Sequence, residues 1–139
     1  MFRKILVPVD FSPKNDAALD SAVQIALGCD GEIMLLHVVE VIEHIDFNEM
    51  SDFYRGLETR ATARLFTMEE TLKESGARIR HEVLFGKRAE TIVRYAGEMA
   101  ADLMILSSHQ VDRDHPALGL GTISYRIAIV ARCPVLLVK

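Results

Sequence analysis

Residues 105–126, ILSSHQVDRDHPALGLGTISYR, carry the side chains and bare backbone with the most chemistry to offer. Gly121-Thr122 stands just before an apolar pattern of helical period. A glycine lets phosphate oxygens approach backbone N–H groups, a threonine adds a hydroxyl, and a helix N-terminus favours anions. The same pair also suits a plain cap, because threonine caps a helix well without any ligand. Upstream, Leu106 and Ser107 end an apolar run. The Ser107 hydroxyl can meet a phosphate or a sugar, or simply fill the space that a ligand needs. His109, Asp112, Asp114 and His115 are metal-ligand types. Their spacing fits no compact helical or zinc-ribbon pattern, so a solvated loop without metal is expected. Ser108 and His109 are sequence neighbours with no orienting acid implied, so they make no triad. Gly86-Lys87-Arg88 is not a phosphate loop, because no glycine stands five residues before Gly86. Asp10 follows the first apolar run. A carboxylate there can accept from a ribose or help hold a hydrated Mg²⁺, or merely cap the FSPKN turn.

These residues need elements to position them. KILVPV, EIMLLHVV, DLMILSS and CPVLLVK are short and almost wholly apolar, as strands buried on both faces of a parallel sheet are. RIRHEVLF alternates more and reads as a strand nearer an edge. The strands are expected at 3–9, 32–38, 79–85, 103–107 and 135–138. Helical patterns lie between them, over 14–28, 49–75, 88–100 and 122–131. Ser12 suits the start of the first helix and Gly28 its stop. Phe53, Leu57, Ala61, Leu65, Met68 and Leu72 form the apolar stripe of the second, which Gly76 stops. The third buries Ala89, Ile92, Val93, Ala96 and Ala100. VIEHIDFNEM reads as an irregular crossover. The alternation defines an α/β, doubly wound, five-stranded parallel sheet with helices on both faces. Strand orders 2-1-3-4-5, as in flavodoxin-like folds, and 3-2-1-4-5 both satisfy it. Either way, ligands belong outside the carboxyl ends of the strands, where the order reverses.

The chain has 139 residues, enough for one domain over 1–139, and half of them are hydrophobic. The net charge is −4 and the basic residues are scattered, which argues against a nucleic-acid surface. No apolar run approaches membrane-spanning length, and Asp10 cuts the first one too short for a signal peptide. Cys29 and Cys133 lie in no CxxC pattern, so a reduced chain in the cytoplasm is expected, with Cys133 as packing beside the last strand.

KILVPVDFS, LLHVVE, GKRAETIVRYAGEMAADLMIL and LGLGTIS…ARCPVLLVK, in that order, resemble a universal stress protein domain over nearly the whole chain. The resemblance implies strand order 3-2-1-4-5, a switch point between strands one and four, and a homodimer often paired through the last strand. Val135, Leu136, Leu137 and Val138 would then lie near the interface, consistent with an apolar edge that invites pairing. Many members of that family bind ATP through G-x2-G-x9-G-[S/T]. In those members an aspartate matching Asp10 lies by the nucleotide, and the backbone at the position of Val38 faces an adenine edge. Here the first two glycine positions hold Ser107 and Gln110, and ten residues rather than nine precede Gly121. The expectation is therefore a homodimeric stress-response or signalling module that contacts an unknown protein partner, with weak or no nucleotide binding. A regulator that holds ATP or another adenine nucleotide with Mg²⁺, through Asp10, Val38, Leu106, Ser107, Gly121 and Thr122, is the alternative. A small hydrolase or transferase is the third reading, since fold does not fix function. No general acid–base pair or activated nucleophile is visible, so at most slow ATP hydrolysis is expected.

Overall fold

A computed structural model describes residues 1–108, 114 and 122–139. Five strands and four helices alternate: β1 (Lys4–Pro8), α1 (Asn15–Cys29), β2 (Glu32–Glu40), α2 (Ser51–Lys73), β3 (Arg78–Gly86), α3 (Arg88–Glu98), β4 (Leu103–Ser107), α4 (Ile123–Val130) and β5 (Val135–Val138). The strands form one sheet in the order β3-β2-β1-β4-β5, which settles the choice left open by periodicity. All four pairings are parallel.

The period-two alternation of side chains divides the apolar residues between two cores. Ile5, Val7, Ile33, Leu35 and Ile105 face α1 and α2, meeting Ala18, Leu19, Ala22 and Leu65. Leu6, Leu36, Val38, Met104 and Leu106 face α3 and α4, meeting Ile92, Ala96 and Ile127. The central strands are thus buried on both sides, which explains their unbroken apolar runs. β3 lies at one edge and β5 at the other, and exposed Arg78, Arg80 and Glu82 give β3 its alternation.

Several local expectations are corrected. Ser12 does not cap α1; the helix starts after Lys14, which offers no side-chain cap. Ser12 instead gives its N–H to the Asp10 carboxylate at 2.9 Å. Gly28 lies inside α1, and the stop falls at Asp30, whose φ of 55° is left-handed. Phe53 is exposed at 48%, while its neighbour Tyr54 is buried. The Tyr54 hydroxyl accepts the Ile42 N–H at 2.7 Å, and its ring stacks on Phe47. Ala100 is exposed with φ 54°, because α3 has already ended at Glu98.

Candidate functional site

After β1 the chain turns to α1 on one face, and after β4 it runs on to α4 on the other. A crevice opens where adjacent connections diverge, outside the carboxyl ends of the strands. It contains a cavity of about 460 Å³. Its apolar floor is Leu36, Val38 and Leu106 from the sheet, with Ile92 of α3 and Ile127 of α4. Its polar rim includes Asp10, Ser107, Thr122 and Ser124. Five residues that the sequence singled out, Asp10, Val38, Leu106, Ser107 and Thr122, therefore line one space. Gly121, Gln110, His109, Asp112 and His115 lie outside the described residues. Asp114 is exposed.

The polar rim is held from below. Asn15, at the start of α1, is buried. Its Oδ1 accepts the Asp10 N–H at 3.0 Å and its Nδ2 donates to Ser107 Oγ at 3.0 Å. One amide thus ties the end of β1 to the end of β4. The Ser124 hydroxyl donates to the Ser107 carbonyl at 2.6 Å, fixing the first turn of α4 against β4. Thr122 is the N-cap of α4, and its hydroxyl oxygen accepts the Tyr125 N–H at 3.4 Å. Capping and ligand contact are compatible here, because accepting that bond leaves the Thr122 hydroxyl hydrogen as a donor.

Asp10 is partly buried, which alone would raise its pKa. The Ser12 hydrogen bonds and the nearby Arg88 charge outweigh this and hold the carboxyl below its ordinary value. Beside it, Phe11 has a left-handed φ of 65°, uncommon for a bulky residue. Its ring stacks on His37 with centroids 4.4 Å apart, and the Arg64 guanidinium lies 4.2 Å from its centroid. His37 Nδ1 donates to the Val9 carbonyl at 2.8 Å, which places the proton on that nitrogen.

Among the wall residues that sequence reasoning missed are Lys14, Asn15, Arg88 and Ser124. Arg88 opens α3 directly after β3, the kind of position where ligands gather in doubly wound sheets. Its Nε lies 3.8 Å from Glu40 Oε1. The GKR stretch is no phosphate loop, yet its arginine reaches the cavity.

At the opposite pole of the question of assembly, β5 is an edge strand with Leu136 exposed at 38%. Val135 and Leu137 pack inward against the α3/α4 core, and Val138 packs against the α1/α2 core. Cys133 is partly buried among the same α3/α4 core residues. Among the described residues, no helix is long and apolar enough to cross a membrane.

The sheet order and the cavity at its switch point define a doubly wound α/β domain. Within that class the chain belongs to the universal stress protein family, whose family model matches residues 1–139. Universal stress protein MJ0531 of Methanocaldococcus jannaschii is 28% identical over 142 residues, covering 100% of this chain and 83% of that protein. The structure of the universal stress protein UspA from Lactobacillus plantarum has a TM-score of 0.84 at 24% identity, covering 99% of this chain and 98% of that one. The universal stress protein from Archaeoglobus fulgidus, solved in complex with dAMP, has a TM-score of 0.72 at 17% identity, covering 99% of this chain and 98% of that one.

Proposed function

We propose that this chain is a cytoplasmic stress-response module in which the switch-point cavity holds an adenine mononucleotide weakly, by its nucleoside end and first phosphate. The observation that carries this reading is the single cavity that Asp10, Val38, Leu106, Ser107 and Thr122 share. Its volume of about 460 Å³ lies in the lower part of the ~300–1,000 Å³ range of small-molecule pockets. An apolar floor suits a base, and hydroxyl donors on the rim suit a phosphate. The dAMP bound to the Archaeoglobus relative is a ligand of this size and chemistry. Weakness follows from the loop. Where ATP-binding members present bare backbone, this chain has the Ser107 side chain, already engaged by Asn15. The sequence also argues against a gain from outer phosphates, with Gln110 at the second glycine position and ten residues rather than nine before Gly121. The reading is of a binding module, whose described wall offers one carboxylate, Asp10. The exposed Leu136 on the β5 edge supports action as a homodimer, with a protein partner receiving the signal.

Saturation-transfer NMR with AMP tests the reading. The adenine protons should receive saturation from the wild type and lose it in a variant carrying Asp10→Ala and Thr122→Val. No transfer at millimolar AMP would leave the fold as an interaction module without a nucleotide.

A further inference from the structure

The cavity wall has an unusual charge balance for a polyphosphate site that relies on a metal ion. Among its described residues are two cations, Lys14 and Arg88, and one carboxylate, Asp10. Mg²⁺ demands octahedral oxygen ligation and is usually held by one or two carboxylates together with substrate phosphates. Asp10 is poorly placed for that. Its Oδ1 already accepts the Ser12 N–H, and it is the one carboxylate among the described residues of the wall. It also shares the crevice with the Arg88 guanidinium, which repels a second cation. No group of three or more histidine, cysteine or acidic side chains suited to a metal occurs among the described residues. The described donor set of the wall therefore does not fit a divalent ion.

It fits an anion. Ser107 Oγ accepts from Asn15 Nδ2, which leaves its hydroxyl hydrogen to donate elsewhere. Thr122 Oγ1 accepts from Tyr125 N, which leaves its hydrogen as a donor too. Arg88 sits one helical turn before Ile92, so both reach the cavity from the same face of α3. A guanidinium presents a planar fork of N–H groups that matches two phosphate oxygens, and it keeps its charge at every accessible pH. Its contact with Glu40 is long and half exposed, so it competes weakly with a ligand.

We infer that Arg88 takes the role that a divalent cation has in metal-dependent nucleotide sites, so that this cleft binds a phosphate monoester without metal. The inference rests on the mononucleotide reading and adds the specificity-determining residue and the absence of a metal requirement.

Calorimetric titration of AMP into the full chain, once in EDTA and once in excess Mg²⁺, tests it, with Arg88→Gln, Arg88→Lys and adenosine as further arms. The expected dissociation constant is the same in both buffers within about twofold. Arg88→Gln should weaken AMP by about tenfold or more in each buffer, as loss of a charge-assisted hydrogen bond does. Arg88→Lys should keep part of the affinity, and adenosine should bind the wild type and Arg88→Gln alike. AMP binding that requires Mg²⁺, or an Arg88→Gln variant that binds AMP normally, would overturn the inference and leave the nucleotide reading intact. No AMP binding in either buffer would overturn both.

Discussion

Burying the Asn15 amide removes its hydration, and the fold offsets that loss with two partners, the Asp10 N–H and the Ser107 hydroxyl. Asn15→Ala removes both and strands the Asp10 N–H. The expected cost is about 1–3 kcal/mol, read from the urea midpoint, with weaker nucleotide binding alongside it. An unchanged midpoint would show that the two strand ends are held by something else. His37 gives a pH signature at the same scale. Burial lowers its pKa from the ordinary 6.5; the Val9 carbonyl pulls the other way and does not cancel it. The folded state therefore takes up this proton only at lower pH than the unfolded chain does. Its contribution to stability is complete above about pH 6.5 and is lost as the pH falls through the lowered value. The urea midpoint should drop between about pH 7.5 and about pH 5.5, and His37→Asn should drop less over that window. Equal drops in the two proteins would remove His37 from the account.

Elements show how an ending is chosen. Gly28 lies in the body of α1, with nothing within 4 Å of an added Cβ. Gly31 follows the left-handed Asp30, and its Cβ would stand 2.5 Å from the Phe2 carbonyl oxygen. Gly28→Ala should stabilise by about 0.5–1 kcal/mol through helix propensity. Gly31→Ala should destabilise, because backbone must move to admit it. Thermal melts that rank the two variants the other way would contradict this placement of the helix end. That pair also shows what was legible beforehand. Apolar runs such as DLMILS announce their strands because both faces are buried. Gly28 reads as a stop because sequence cannot show that Asp30 tolerates the left-handed turn or that the Phe2 carbonyl crowds Gly31. Asp10, Ser107 and Thr122 were legible as strand-end and helix-start positions. Arg88 and Asn15 were not, since a charged or amide residue at a helix start reads as solvated surface until the sheet order brings it to the crevice. Phe53 and Tyr54 differ by one position, about 100° of helix, and only packing against Phe47 and Phe85 decides which is buried.

At the scale of the molecule, the sheet ends in two edges with different characters. β3 carries exposed charge, whereas β5 exposes the apolar Leu136. Charged edges resist pairing and apolar ones invite it. Leu136→Lys should therefore convert a dimer to a monomer by light scattering at tens of micromolar, an order of magnitude suited to a moderate interface. A wild type that is already monomeric there would contradict pairing through Val135–Val138. The switch point sits between β1 and β4, away from that edge, so ligand binding should survive the substitution. On the proposed reading, this crevice recognises a mononucleotide and gains nothing from outer phosphates. Calorimetry of the wild type with AMP and with ATP plus Mg²⁺, side by side, tests it most directly. ATP is expected to bind no more tightly than AMP, both weaker than ~10 µM, about −7 kcal/mol. ATP bound at ~1 µM or tighter, about −8 kcal/mol, with AMP well behind, would contradict it.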